Sequence, residues 1–163
     1  MTVVVVTRLR RFKQNDKLKF ETNRRIFFMT PEKLCELAIE AMSRSYSPYS
    51  GYAVGAALLC ADGTVYQGCN IENASFTPTV CGERSAFFKA IYDGHRDFVA
   101  ISVCGGKDGV ISGPFPPCGV CRQVMREFCD DDFKVYLIGD GTYETVTLAQ
   151  LLPHSFRADT HMV

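Results

Sequence analysis

Two Asp-Gly pairs, Asp62-Gly63 and Asp140-Gly141, each separate two short strand-like runs, and two helical patterns lie between those hairpins. This punctuation leaves few folds open. Val54–Cys60 is almost wholly apolar, as in a strand buried on both faces, and Asp62-Gly63 turns it into Thr64–Cys69. Phe98–Cys104, Phe133–Ile138 and Tyr143–Thr147 read as three further strands. Thr30-Pro31 is a helix start, and Leu34, Leu37, Ala38, Ala41 and Met42 follow at spacings of three and four. Ala86, Phe87, Ala90 and Ile91 mark a helix beginning near Cys81. Val120, Val124, Met125 and Phe128 mark another, and Leu148–Leu152 a brief terminal one. Two strand–helix–strand crossovers predict parallel neighbours, and the two hairpins predict antiparallel edges. The expected fold class is α/β, a three-layer αβα sandwich around a five-stranded mixed sheet.

The 163 residues suffice for a single domain with a real core. A formal net charge of zero hides an asymmetry, because eight basic and only two acidic residues precede Met29. The remainder is net −6, which suits polynucleotide phosphates poorly. Residues 1–28 read as a basic, flexible N-terminal extension, 29–157 as the folded domain and 158–163 as a C-terminal tail. Val3–Val6 is too short for a secretory apolar region, residues 1–28 contain no serine, and no apolar run is long enough to cross a bilayer. A reduced, cytoplasmic setting is expected, with no membrane partner. Five of the eight cysteines (Cys35, Cys60, Cys69, Cys104 and Cys129) are then expected as small buried hydrophobes.

The other three, Cys81, Cys118 and Cys121, fall where a strand has ended and a helix begins. Three thiolates hold Zn²⁺ while leaving its fourth tetrahedral position open, as a catalytic site requires. Amide donors and the helix dipole favour thiolate at such helix starts. Glu83, two residues past Cys81, is placed to move protons if Cys81 caps the helix from outside helical dihedrals. An all-thiolate zinc site carries net −1, so positive groups are expected to tune it. Arg84 and Arg122 are the candidates for hydrogen bonds to the sulfurs. Taken alone, C-x-x-C is also compatible with structural zinc or a redox pair, but C-x-E upstream of P-C-x-x-C matches the all-cysteine form of the zinc-deaminase signature.

From about Met29 to Phe156 the chain resembles the homotetrameric type of zinc-dependent cytidine deaminase. The resemblance rests on Tyr46-Ser47-Pro48-Tyr49-Ser50, Val54-Gly55-Ala56-Ala57-Leu58, Gly68-Cys69-Asn70-Ile71-Glu72-Asn73-Ala74, Cys81-Gly82-Glu83-Arg84, Pro117-Cys118-Gly119-Val120-Cys121-Arg122-Gln123-Val124 and Leu151-Leu152-Pro153-His154-Ser155-Phe156. It implies hydrolysis of cytidine and 2′-deoxycytidine to uridine and 2′-deoxyuridine plus ammonia, a step of pyrimidine salvage. Zinc-bound hydroxide would attack C4, with Cys81, Cys118 and Cys121 as ligands and Glu83 as proton shuttle. The resemblance further implies that Asn70 and Glu72 hold the ribose hydroxyls and that Tyr52 packs on the pyrimidine. The backbone of Gly82 would meet the base carbonyl, and Phe156 would come from a neighbouring subunit of a homotetramer.

The chain departs from the family pattern at Gly82 (usually alanine), Tyr52 (commonly phenylalanine), Phe76 (frequently tyrosine) and Pro116 (commonly serine). Without the resemblance, Asn70 and Glu72 read rather as polar groups at a strand end, and Tyr52 and Phe156 rather as core. Another aminopyrimidine nucleoside is a second candidate substrate, whereas Glu72 would repel the phosphate of a nucleotide. A zinc-stabilised interaction module is the non-enzymatic alternative, although it would need a fourth protein ligand.

Overall fold

The structure, a computed structural model, describes residues 18–22, 25–158 and 162. The elements run β1 (Leu18–Thr22), β2 (Arg25–Met29), α1 (Pro31–Met42), β3 (Tyr52–Cys60), β4 (Val65–Cys69), α2 (Gly82–Tyr92), β5 (Phe98–Lys107), α3 (Gly119–Phe128), β6 (Lys134–Gly139), β7 (Thr142–Thr147) and α4 (Leu148–Leu151). β1 and β2 pair antiparallel, Leu18 opposite Met29, as a two-stranded sheet of their own. The reading of residues 1–28 as an extension did not anticipate this pairing, and residues 1–17 lie outside the described residues.

α1 begins as its sequence dictates. The Thr30 side chain accepts from the Lys33 amide at 3.2 Å and Pro31 takes the first turn, a cap worth about 1 kcal/mol. The remaining five strands form one sheet in the order β4-β3-β5-β6-β7. Only β5 and β6 are parallel neighbours; the other three pairs are antiparallel. The expectation that both crossovers join parallel neighbours is therefore half corrected. β4 and β5 run in the same direction, but β3 lies between them. Burial explains the order: seven consecutive residues of β3 from Val54 to Cys60 are buried, whereas β4 is mostly half-buried and takes the edge.

The hairpin turns differ. Asp140 and Gly141 both have left-handed φ, 50° and 74°, the pattern of a two-residue primed turn. At the first hairpin only Gly63 does (φ 90°), and the Asp62 carboxylate accepts from the Thr64 amide at 2.9 Å instead. Each face of the sheet is covered. Alternate β3 residues Ala57 and Leu59 pack with Leu34, Cys35, Ala38 and Met42 of α1. Ala56, Leu58 and Cys60 pack on the other face with Phe87 of α2 and Met125 of α3. All eight cysteines are free thiols, and no described helix is long and apolar enough to cross a membrane.

Candidate active site

α2 and α3 start side by side, and both starts are cysteines. Cys81 is the N-cap of α2 with extended dihedrals (φ −75°, ψ 157°), and Cys118 is the N-cap of α3 (φ −67°, ψ 164°). Cys121 follows in the first turn of α3. The sulfurs of Cys81 and Cys118 are 3.8 Å apart, those of Cys118 and Cys121 are 3.5 Å apart, and all three lie within 4.8 Å of one another. A tetrahedral zinc with sulfurs at ~2.3 Å sets each pair about 3.8 Å apart, so the donor set fits that ion. Electrostatics agree. A hydrogen bond with Cys121, helped by Arg84, pushes the Cys81 thiol down to about 5. The same bond, together with burial, pushes Cys121 upward. Negative charge is concentrated where the sulfurs converge, and a divalent cation would relieve the competition between them.

Glu83 stands in the first turn of α2, only 3 % exposed. Burial pushes its carboxyl up to about 7. Its Oε2 has no hydrogen-bond partner. A buried carboxylate oxygen left unsatisfied is costly, so this one awaits a group supplied from outside the chain. Although two residues apart, Cys81 and Glu83 interact electrostatically: the sulfur's charge adds to burial in raising the carboxyl. Arg84 donates through Nη2 to the Thr79 carbonyl at 3.0 Å and to Cys81 Sγ at 3.5 Å. Arg122 was expected on a sulfur as well. Its Nε and Nη1 instead donate to the carbonyls of Pro117 (2.7 Å) and Leu151 (2.6 Å), bracing the loop that delivers Cys118.

The helix start is set against the sheet by a glycine. A Cβ on Gly68 would run into the Gly82 carbonyl and come within 2.5 Å of the Ala86 amide, so only glycine lets α2 approach β4 this closely. Gly68→Ala is expected to cost about 1–3 kcal/mol by overpacking and to reduce kcat by shifting Cys81 and Glu83. Gly55 meets α1 equally closely on the opposite face, its Cβ position 2.5 Å from the Met42 amide. Gly55→Ala should therefore cost similar stability with a smaller loss of kcat. Denaturation curves and steady-state rates on the pair check this, and equal kcat losses would refute it. A methyl group on Gly82 would be a tight fit, 3.3 Å from the Val54 carbonyl oxygen, and neighbouring backbone would have to give slightly.

Of the other candidate residues, Tyr52 opens β3, Asn70 and Glu72 follow β4, and Phe156 follows α4. Asn70 is buried: its Oδ1 accepts from the Val54 amide (2.8 Å) and Ser45 Oγ (2.5 Å), and its Nδ2 donates to the Tyr52 carbonyl (2.8 Å). One amide hydrogen remains available. Glu72 Oε2 accepts from the amides of Tyr49 (2.9 Å) and Ser50 (3.2 Å), and its Oε1 from Ser50 Oγ. The Ser50 hydroxyl and then those amides hold its carboxyl below the ordinary range, so it stays ionised. Ser45 and Ser50, to which sequence reasoning gave no role, thus fix both polar groups; the serine-rich stretch on either side of Pro48 was the available signal. Tyr52 is 47 % exposed, its ring 6.4 Å from Phe115 and with Lys107 Nζ 5.5 Å from its centre. Phe115 was not among the candidate residues. Phe156 is 54 % exposed, and its carbonyl accepts from Gln123 Nε2 at 3.0 Å.

The fold and this centre together define a zinc-binding hydrolase built on a mixed α/β sheet: three thiolates that would leave one zinc position open, and a buried carboxyl with one unpartnered oxygen. The chain matches the family described as the cytidine and deoxycytidylate deaminase zinc-binding region over residues 29–137. It belongs to that family. It is 49% identical over 129 residues to a cytidine deaminase of Sporosarcina psychrophila, covering 78% of this chain and 92% of the relative. Identity to a cytidine deaminase of Halalkalibacterium halodurans is 48% over 132 residues, covering 80% and 97%. Among solved structures, the cytidine deaminase of Burkholderia pseudomallei superposes with a TM-score of 0.73 at 43% identity, covering 78% of this chain and all of that one.

Proposed function

We propose that the protein hydrolytically deaminates cytidine and 2′-deoxycytidine, releasing ammonia, with Cys81, Cys118 and Cys121 holding zinc. The observation that carries this reading is the unpartnered Oε2 of buried Glu83 beside the three sulfurs. When bound, zinc supplies a strongly acidified water at neutral pH. The chain's own residues do the rest. Glu83, with its carboxyl near 7, is able to move two protons in turn: one from the attacking water to N3 of the base, and a second from the oxygen added at C4 to the departing amine. The spare amide hydrogen of Asn70 and the ionised Glu72 suit two ribose hydroxyls. Tyr52 offers an exposed ring to the pyrimidine, and the backbone of Gly82 offers an N–H to its carbonyl. A structural zinc module would require a fourth protein ligand, and among the described residues the thiolate cluster has none.

The same reading takes the protein as a cytoplasmic enzyme of pyrimidine salvage, with residues 29–157 as its catalytic domain. It further takes it as a homotetramer in which Phe156 completes a neighbour's site. The exposed rings of Phe156 and Phe76 and the apolar recess between α2 and α3, lined by Phe88, Val120 and Val124, support subunit contacts. The decisive test is an ultraviolet and ammonia-release assay of the zinc-loaded full chain on cytidine and deoxycytidine. Turnover of both is expected; a zinc-loaded protein that leaves both unchanged would sink the proposal.

Arg84 tunes the site by sharing the charge of the Cys81 sulfur. Removing that positive charge makes the centre more negative and a water there less acidic. Arg84→Ala is therefore expected to move the acidic limb of the kcat/KM profile to higher pH. Arg122→Ala, whose side chain holds carbonyls, should lower stability and leave that limb in place. A pH–rate profile unshifted in Arg84→Ala removes this role.

A further inference from the structure

We infer that Cys60, Asp62 and His95 form a second zinc site, at the far end of α2 from the thiolate cluster. One ligand atom from each of the three lies within 4.8 Å of the others. Cys60 closes β3, Asp62 stands in the turn that follows, and His95 lies just past the end of α2. α2 has 11 residues, which places this cluster about 16 Å along the helix axis from the start that carries Cys81. The two centres share no residue.

The three groups are held by their backbones rather than by one another. The Cys60 amide donates to the Thr64 carbonyl at 2.9 Å, and its own carbonyl accepts from Gly63 at 3.0 Å. The sheet register slips between Leu59 and Cys60, where β3 leaves its partner β5. Asp62 commits Oδ1 to the Thr64 amide, which leaves Oδ2 facing His95 Nδ1 at 3.7 Å. That separation is too long for a hydrogen bond. It is close to the distance of about 3.4 Å at which a tetrahedral zinc sets N and O ligands apart. The His95 amide donates to the Ala90 carbonyl at 3.0 Å, and its ring stacks edge-on against Tyr66 at 5.3 Å. Among the described residues the Cys60 thiol makes no hydrogen bond. A soft sulfur, an imidazole nitrogen and a carboxylate oxygen, converging beside a partly exposed Asp62, suit zinc better than calcium or magnesium.

Zinc enters as the Cys60 thiol loses its proton to solvent and His95 binds as the neutral imidazole. Thiolate and carboxylate then balance the ion's charge, whereas the three-thiolate centre is left at net −1. A solvent ligand fills the fourth position. Bound there, zinc ties the β3–β4 turn to the segment after α2 and stabilises the fold by mass action, without touching the chemistry.

Equilibrium dialysis of the full chain against zinc tests the site. The wild type should saturate only after a second equivalent per chain. His95→Ala and Asp62→Ala, both at partly exposed positions, should each saturate after the first. Both variants should keep the wild-type rate of cytidine turnover, and only the wild type should gain melting temperature as zinc is raised beyond the first equivalent. A wild type that saturates at one equivalent overturns the inference. So does a second equivalent that persists in His95→Ala, since that ion would sit elsewhere on the surface. Neither result bears on the proposed function, which the turnover assay tests separately.

Discussion

Glu83→Gln is expected to retain zinc and to lose about a hundred- to ten-thousandfold in kcat on cytidine, the range that a positioned proton-transfer group supplies. The substitution preserves shape at a position only 3 % exposed, so Cys81, one residue outside the helix, should stay where it is. Stability separates a chemical role from a folding one. The carboxylate is buried with one oxygen unpartnered, and its carboxyl is pushed up to about 7 because water is excluded. An amide has no charge to desolvate, so the variant should melt no lower than the parent. Metal analysis, melting temperature and turnover read together make the test. A variant that keeps its zinc and most of its rate would remove Glu83 from the chemistry. One that loses both metal and stability would reassign it to the fold.

Cys121→Ser should be the more destructive change. Cys121 is 1 % exposed and belongs both to the sulfur cluster and to the core around Phe87 and Met125. With two thiolates left, the variant is expected to bind one zinc fewer per chain than the parent and to show turnover at background. It should also lose the stabilisation that a bound metal confers, about 4 kcal/mol when zinc stands a thousandfold above its dissociation constant. Metal content and chemical denaturation with and without chelator provide the check. Full activity in Cys121→Ser would mean that the zinc is held by other residues.

Much of this centre was legible because its parts are local. The spacing of Cys81 and Glu83 made sense only if the cysteine capped the helix, and the extended dihedrals of Cys81 place it there. The cap at Thr30 and the two hairpins follow from short-range chemistry as well. What sequence reasoning missed depends on distant partners. The intrusion of β3 between β4 and β5 reflects which strand is most completely buried, a competition among whole elements rather than a property of either crossover. Arg122 stands next to a sulfur in sequence, yet the carbonyl of Leu151, 29 residues away, captures its guanidinium. The Ser45–Asn70 contact joins groups 25 residues apart, and neither carries a local signal that it will meet the other.

The contact between Gly68 and the start of α2 has a consequence for how such an enzyme can change. Backbone meets backbone there, so no side chain between strand and helix must be repacked to keep Glu83 in place. Asn70 and Glu72 are instead anchored mainly to residues 45–54, on the loop that precedes β3 and its first residues. On the proposed assignment of roles, reactivity and recognition are mounted on separate supports. A library confined to residues 45–52 could retune which sugar is accepted while the proton-transfer geometry is inherited unchanged.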